Sequence, residues 1–402
     1  MLAKNGIGKN VLDAARERIA FVFDRFTRVY VSFSGGKDST VLLNLTLDEA
    51  RSRSRKIGVL FVDLEAQYRS TIDFILNTLN DNADVIEPFW CSLPLNLRNA
   101  VSQFEPQWCC WDPRRKDDWV RTPPDGAITD EDYFPFFRRQ MEFEEFVPAF
   151  GEWYARGVST CCLVGIRCDE SINRFRSIVS EKKARLDGLG WTTRKSPAIY
   201  NAYPIYDWKT SDIWKYHADT GRPYNGVYDL MHKAGLTPAQ MRICQPYGDD
   251  QRKGLWLYHV LEPETWARVV ARVNGANQGA LYALESGNIL GRIKISKPAG
   301  HTWQSYVDFL LASMPPQHAE HYKDKIAVFL KWYEQRGYAH GIPDEVDPKL
   351  EALRKVPSWR RVAKTILKND YWCKTLSFNQ HKSEAYERYV KVIRNRRRRW
   401  GL

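Results

Sequence analysis

Val29-Tyr30-Val31-Ser32-Phe33-Ser34-Gly35-Gly36-Lys37-Asp38-Ser39-Thr40-Val41-Leu42-Leu43-Asn44-Leu45 changes its period in the middle. The run Val29 to Phe33 is β-branched and aromatic, the composition of a buried strand, and it gives way to a serine and two glycines. From Asp38 onward the residues suit a helix, so strand, tight turn and helix follow within about twenty residues, the first half of a βαβ unit. Such a junction makes an anion cradle. Gly35 and Gly36 let the backbone approach a ligand with no Cβ in the way, and the amides that open the helix point their N–H groups at it. Ser32, Ser34 and Ser39 bring hydroxyls to the turn, and Lys37 brings a mobile positive charge for phosphate oxygens. The segment is not the G-x-x-x-x-G-K-[ST] loop, because only one residue separates Gly35 from Lys37.

Outward from this junction the alternation continues. Residues 11–26 space apolar positions by three and four and predict an amphipathic helix. Ile57 to Val62 predicts a second strand closed by Asp63, residues 68–80 a helix, and Asp84 to Glu87 a short third strand. Strands alternating with helices imply a parallel sheet covered on both faces, with ligands held outside the carboxyl ends of the strands. Residues 104–140 interrupt the pattern with Trp, Pro, Asp and Arg, and their length makes them a lid or an interaction insert. A helix over 141–157, a strand over 161–166 and a helix over 210–219 complete the α/β part. Beyond about residue 236 helical segments dominate: 237–244, 249–260, 263–273, 303–313, 318–336 and 358–369. The expected architecture is an α/β nucleotide-binding domain over 1–237, with an insert at about 104–140, followed by a smaller, mainly α-helical domain over 238–402.

The 402 residues carry 60 Lys plus Arg against 48 Asp plus Glu, a net charge of +12 that favours polyanionic ligands or partners. Part of this excess is the tail 394–402, where Arg394, Arg396, Arg397, Arg398 and Arg399 crowd together. Such a run is either a solvated terminus or a contact for nucleic acid. No stretch of about 18 apolar residues occurs, and MLAKNGIGKN lacks the form of a secretion signal, which predicts a cytoplasmic chain without a membrane span. The eight cysteines then read as thiols rather than a disulfide framework. The pairs Cys109-Cys110 and Cys161-Cys162 lack C-x-x-C spacing, which disfavours an iron–sulfur cluster.

A second chemical motif is Gly165-Ile166-Arg167-Cys168-Asp169-Glu170-Ser171, with Arg174 close behind and Arg176 after it. Arg167 and Arg174 suit forked hydrogen bonds to phosphate or sulfate, and Glu170 can orient an arginine or bind metal. The alternative is an ordinary ion pair on a helix surface. Asp63, at the end of the second predicted strand, is either a ligand-facing carboxylate or a turn former. Pro204-Ile205-Tyr206-Asp207-Trp208 and Asp212-Ile213-Trp214 read mainly as packing of the last strand against its helix.

Ser34-Gly35-Gly36-Lys37-Asp38-Ser39 resembles the SGGKDS signature of the PP-loop ATP pyrophosphatase superfamily. The Gly165-Ile166-Arg167 and Pro204-Ile205-Tyr206-Asp207-Trp208 segments are similar to the phosphoadenosine phosphosulfate (PAPS) reductase-like branch, and the length and C-terminal region to its IbrA-like, DUF3440-containing group. The resemblance to the reductase core covers about residues 25–235. It implies an adenine nucleotide alpha-hydrolase-like, Rossmann-like fold that binds ATP, or PAPS or its non-phosphorylated relative APS, with Mg²⁺. It places the nucleotide against Ser32, Ser34, Gly35, Gly36, Lys37, Asp38, Ser39, Asp63, Gly165, Arg167, Glu170 and Arg174, with Lys37, Asp38 and Arg167 as catalytic candidates and Asp63 as a candidate Mg²⁺ ligand. PAPS reductases attack sulfur with a cysteine in a short C-terminal E-C-G-type motif, whereas this chain ends Arg399-Trp400-Gly401-Leu402. The nearest candidate nucleophile is Cys373, beside Lys374, or else Cys244. Three functions follow as expectations: α–β cleavage of ATP that activates an acceptor, PAPS or APS chemistry, and nucleotide-sensing control of gene expression with a ParB-like partner.

Overall fold

A computed structural model describes the chain apart from residues 1–9, 100–104, 171–173, 176–177, 179–182, 239, 244–254, 274–294, 315, 354–355, 368–369, 371–372, 379–390, 393, 396–397 and 399–402. It forms two compact units. The first comprises residues 1–97, 109–246 and 261–265, and the second 98–108, 247–260 and 266–402.

The first unit is built on a sheet of six strands: β1 (Arg28–Ser32), β2 (Ile57–Val62), β3 (Ile86–Cys91), β4 (Thr160–Val164), β5 (Thr192–Arg194) and β6 (Ile199–Ala202). Their order is β3-β2-β1-β4-β6-β5, and only the outermost pair, β5 with β6, runs antiparallel. Every residue of β2 is buried, as expected of a strand with helices on both faces. The helices are α1 (Val11–Arg25), α2 (Lys37–Ser52), α3 (Arg69–Asp81), α4 (Phe143–Ala155), α5 (Thr210–Thr220) and α6 (Val227–Lys233). The α1 helix starts where the Asn10 side chain accepts from the Asp13 amide at 2.9 Å, and it buries Ala15, Ile19, Val22 and Phe23 on one face. Those side chains share a core with Val29 and Val31 of β1, Val41 and Leu45 of α2, and Val59 and Phe61 of β2.

Three elements differ from the sequence reading. The third strand begins at Ile86 and runs through Pro88 to Cys91. It is an edge strand, which tolerates the missing N–H of a proline that argues against a strand read from sequence. The α6 helix arises where the sequence reading places no element. The described residues of 237–244 form a turn instead of a helix, with the Thr237 carbonyl accepting from the amides of Gln240 and Met241 at 2.8 and 3.2 Å.

In the second unit the described elements from residue 303 onward are helical, chiefly α7 (Trp303–Ala312), α8 (Pro316–Glu334) and α9 (Trp359–Leu367). They enclose a core of Trp303, Val307, Leu310, Tyr322, Phe329, Val362 and Ile366. Of the basic tail, Arg394, Asn395 and Arg398 are described and all are exposed. Among the described residues no helix is long and apolar enough to cross a membrane.

Candidate phosphate-binding site

From β1 the chain turns to β2 on one side, while β4 pairs with β1 on the other. The carboxyl ends of β1 and β4 therefore flank the point where strand order reverses, the crevice in which open α/β sheets bind ligands. Both motifs lie there. Gly35 adopts φ 68°, a left-handed conformation that L side chains rarely take, and turns the chain from β1 into α2. Gly36 is the N-cap of α2 and has no side chain to bond the helix amides. Its carbonyl accepts from Ser39 Oγ at 3.0 Å and Thr40 Oγ1 at 2.9 Å, and the Ser34 and Ser39 hydroxyls lie 3.1 Å apart.

Gly165, at the end of β4, passes close to the start of α2. A Cβ there would sit 3.1 Å from both the N and the Cα of Ser39, main-chain atoms that cannot rotate away. Gly165→Ala is therefore expected to shift the first turn of α2 and to cost roughly 1–3 kcal/mol of stability, read from urea unfolding. A change below about 0.5 kcal/mol would show that the two walls are not in close contact.

Arg167 follows and is 1% exposed. Its Nε donates to Asp38 Oδ1, and its terminal nitrogens reach the Trp208 carbonyl and Thr210 Oγ1, each at 3.4 Å. The other oxygen of Asp38 accepts from Lys37 Nζ at 3.0 Å. Lys37 also donates to the Met241 carbonyl at 3.4 Å and stands 5.7 Å from the Tyr228 ring centroid. Two buried cations thus share the Asp38 carboxylate beside the positive end of α2, and Arg167 has a second carboxylate in the more exposed Asp169 at 3.7 Å.

Ser34, Gly35, Gly36, Lys37, Asp38, Ser39, Gly165 and Arg167 are brought together, while the side chains of Asp63, Glu170 and Arg174 have other partners. Arg174 keeps 47% of its side chain exposed and pairs with Glu170 at 3.7 Å, which is the surface ion pair the sequence left open. Ser32 closes β1, paired in register with Leu60 and Val164. Asp207 turns to Arg18, which grips both its oxygens at 2.9 and 2.7 Å.

Sequence reasoning missed the residues that support the loop from behind. Tyr228 accepts from the Lys37 amide at 3.0 Å, and Asn225 Nδ2 donates to the Gly35 carbonyl at 3.1 Å and to Thr71 Oγ1 at 2.8 Å. His217 Nε2 lies 3.4 Å from the Lys37 carbonyl, and burial lowers its pKa, which keeps the imidazole neutral beside Lys37.

Asp63 requires a correction. It is 0% exposed and all its capacity is engaged: Oδ1 accepts from Arg121 Nη2 at 2.5 Å and the Glu65 amide at 3.0 Å, and Oδ2 from Trp90 Nε1 at 2.8 Å and Ser92 Oγ at 3.3 Å. A carboxylate with two donors on each oxygen does not fit a magnesium ligand. Among the described residues no three His, Cys, Asp or Glu side chains converge to hold a metal. Asp63 instead anchors the insert. Trp111 Nε1 donates to the Asp63 carbonyl at 2.8 Å, while the Trp111 and Val120 amides donate to the Glu65 carboxylate at 2.6 and 3.1 Å.

Cys373 requires another. It lies in the second unit, 0% exposed, and burial, with Asp370 adding, pushes its thiol up to about 12. A nucleophile needs the thiolate, which this environment suppresses. In the native protein at pH 8, Cys373 is expected to stay unmodified by iodoacetamide under conditions that label an exposed thiol, as read by peptide mass spectrometry. Rapid native labelling would restore it as a nucleophile. Cys244 lies outside the described residues.

Residues 28–85 and 152–234 match the phosphoadenosine phosphosulfate reductase domain, and residues 235–341 and 338–387 match a domain of unknown function, DUF3440. The chain is 46% identical over 397 residues to the uncharacterized protein YbdN of Escherichia coli K12, covering 98% of this chain and 96% of that one. It is 25% identical over 223 residues to the uncharacterized protein MJ0066 of Methanocaldococcus jannaschii, 53% of this chain and 37% of that one. Among solved structures, a PAPS reductase of Candida auris in a phosphate complex aligns with 57% of this chain and 93% of its own at 14% identity, TM-score 0.33. An FMN adenylyltransferase of Candida glabrata with FAD and inorganic pyrophosphate aligns with 57% and 64% at 15% identity, TM-score 0.34. With both domain matches in tandem and a relative alike over nearly its whole length, the chain belongs to the PAPS reductase-like proteins that carry a DUF3440 region.

Proposed function

We propose that this chain binds ATP at the loop 34–39 and cleaves it between the α- and β-phosphates to activate an acceptor. The acceptor's nucleophile attacks the α-phosphorus, forming a bond to the adenylyl group. The α–β bridging oxygen departs with the electron pair of the broken bond, as part of pyrophosphate. No protein nucleophile takes part. Lys37, the amides at the start of α2 and Arg167 would stabilise charge that grows on the leaving group, which is catalysis by preorganised donors. The observation that carries this reading is the pair of buried cations on Asp38, set beside a glycine loop at the strand-order reversal. Magnesium enters as part of the nucleotide substrate rather than as an ion held by Asp63.

The match of residues 28–85 and 152–234 to the PAPS reductase domain supports a second reading, in which the same cradle takes PAPS or APS. The buried thiol of Cys373 weighs against reduction by that residue in either case. Two assays separate the readings: pyrophosphate release from ATP with Mg²⁺, and sulfite release from labelled PAPS. Pyrophosphate without sulfite supports the first. Sulfite without pyrophosphate sinks it.

A further inference from the structure

After α6 the chain comes back across the phosphate loop. The turn at Thr237 is tied by the Gln240 side chain, whose Oε1 accepts from the Thr237 amide at 3.0 Å and Thr237 Oγ1 at 2.8 Å. The turn presents two contacts, one to each wall of the crevice. On the β1 side the Met241 carbonyl accepts from Lys37 Nζ at 3.4 Å, and on the β4 side Arg242 Nη2 donates to the Glu170 carbonyl at 2.5 Å. Met241 is 3% exposed, and the Lys37 side chain is 6% exposed beneath it.

An ammonium has three donors, and here one is directed to Asp38 and one to the Met241 carbonyl. A phosphoryl oxygen carries negative charge, and charge-assisted bonds are about twice as strong as those to a neutral acceptor. With the Lys37 side chain only 6% exposed beneath Met241, a phosphoryl oxygen reaches the ammonium only where the Met241 segment moves, and the neutral carbonyl at the longer distance is the partner that gives way. Asp38 keeps Arg167 as a second cation whatever Lys37 does. Farther along, Glu262 accepts from the amides of Arg69 and Ser70 at 2.8 and 3.1 Å, which fastens the chain to the start of α3 by a contact that does not involve Lys37.

We propose that residues 236–238 and 240–243 form a strap across the phosphate site, and that a phosphate-bearing ligand loosens it by taking Lys37 from the Met241 carbonyl. The proposal rests on the reading of loop 34–39 as the phosphate cradle. It makes ligand occupancy legible to the first residues of the DUF3440 match, which begins at residue 235.

The test combines calorimetry with hydrogen exchange read by mass spectrometry, on the full chain with ATP and Mg²⁺. With ATP bound, exchange in peptides spanning 236–243 is expected to rise several-fold, while the amides of Arg69 and Ser70 hold their protection. Arg242→Ala, which removes the second strap contact, is expected to tighten ATP binding about threefold to tenfold, because less must be broken on entry. ATP binding with unchanged or slower exchange at 236–243 overturns the strap and leaves the cradle standing, as does weaker binding by Arg242→Ala. No heat with ATP in either protein removes the cradle and the strap together.

Discussion

Lys37→Ala is expected to lower pyrophosphate release from ATP by about a hundredfold to a thousandfold, the usual cost of removing one preorganised donor from a developing charge. The fold should survive the change. Asp38 retains its bond to Arg167, so no buried carboxylate is left without a cation. The Tyr228 hydroxyl bonds the amide of residue 37, which alanine also carries. Alanine is the best helix former and sits here at the first position of α2. Asp38 Oδ2 and the Met241 carbonyl each lose a donor, worth about 1–3 kcal/mol apiece. The rate and the urea midpoint should be measured on the same preparation. A variant that keeps its rate would exclude the loop from catalysis, and one that unfolds would mean that Lys37 is a structural residue.

Asp63→Ala should behave in the opposite way, damaging stability first. The substitution leaves the Arg121 guanidinium, 17% exposed in its side chain, without its anion, and strips acceptors from Trp90 Nε1 and Ser92 Oγ. Breaking a buried pair by removing one partner costs about 3–5 kcal/mol. Urea unfolding should register that loss, while magnesium dependence of the nucleotide reaction, measured below the unfolding range, should keep its midpoint. Stability within about 1 kcal/mol of the parent together with a shifted magnesium midpoint would return Asp63 to the role of a metal ligand.

How much could be read beforehand depended on how local the physics is. The passage from β1 through Gly35 and Gly36 into α2 is written in consecutive residues, because a change of period and two glycines are local signals. Arg167 was legible for a related reason: an arginine just past a strand-end glycine has few places to go. Arg174 fitted the same pattern, yet it keeps 47% of its side chain exposed and pairs with Glu170, since spacing alone does not fix where a side chain points. Tyr228 and Asn225 were beyond reach, because they meet Lys37 and Gly35 across 191 and 190 residues of sequence, and neither carries a charge or a motif. Asp63 misled because its residue type and its place at a strand end suit a ligand. What saturates it comes from Trp90, Ser92 and Arg121, and the last of these belongs to an insert without period.

The fastening of that insert carries an evolutionary corollary. Glu65 is gripped by the amides of residues 111 and 120, groups that every amino acid except proline possesses. Side chains at the positions between them can therefore drift while both anchor points hold.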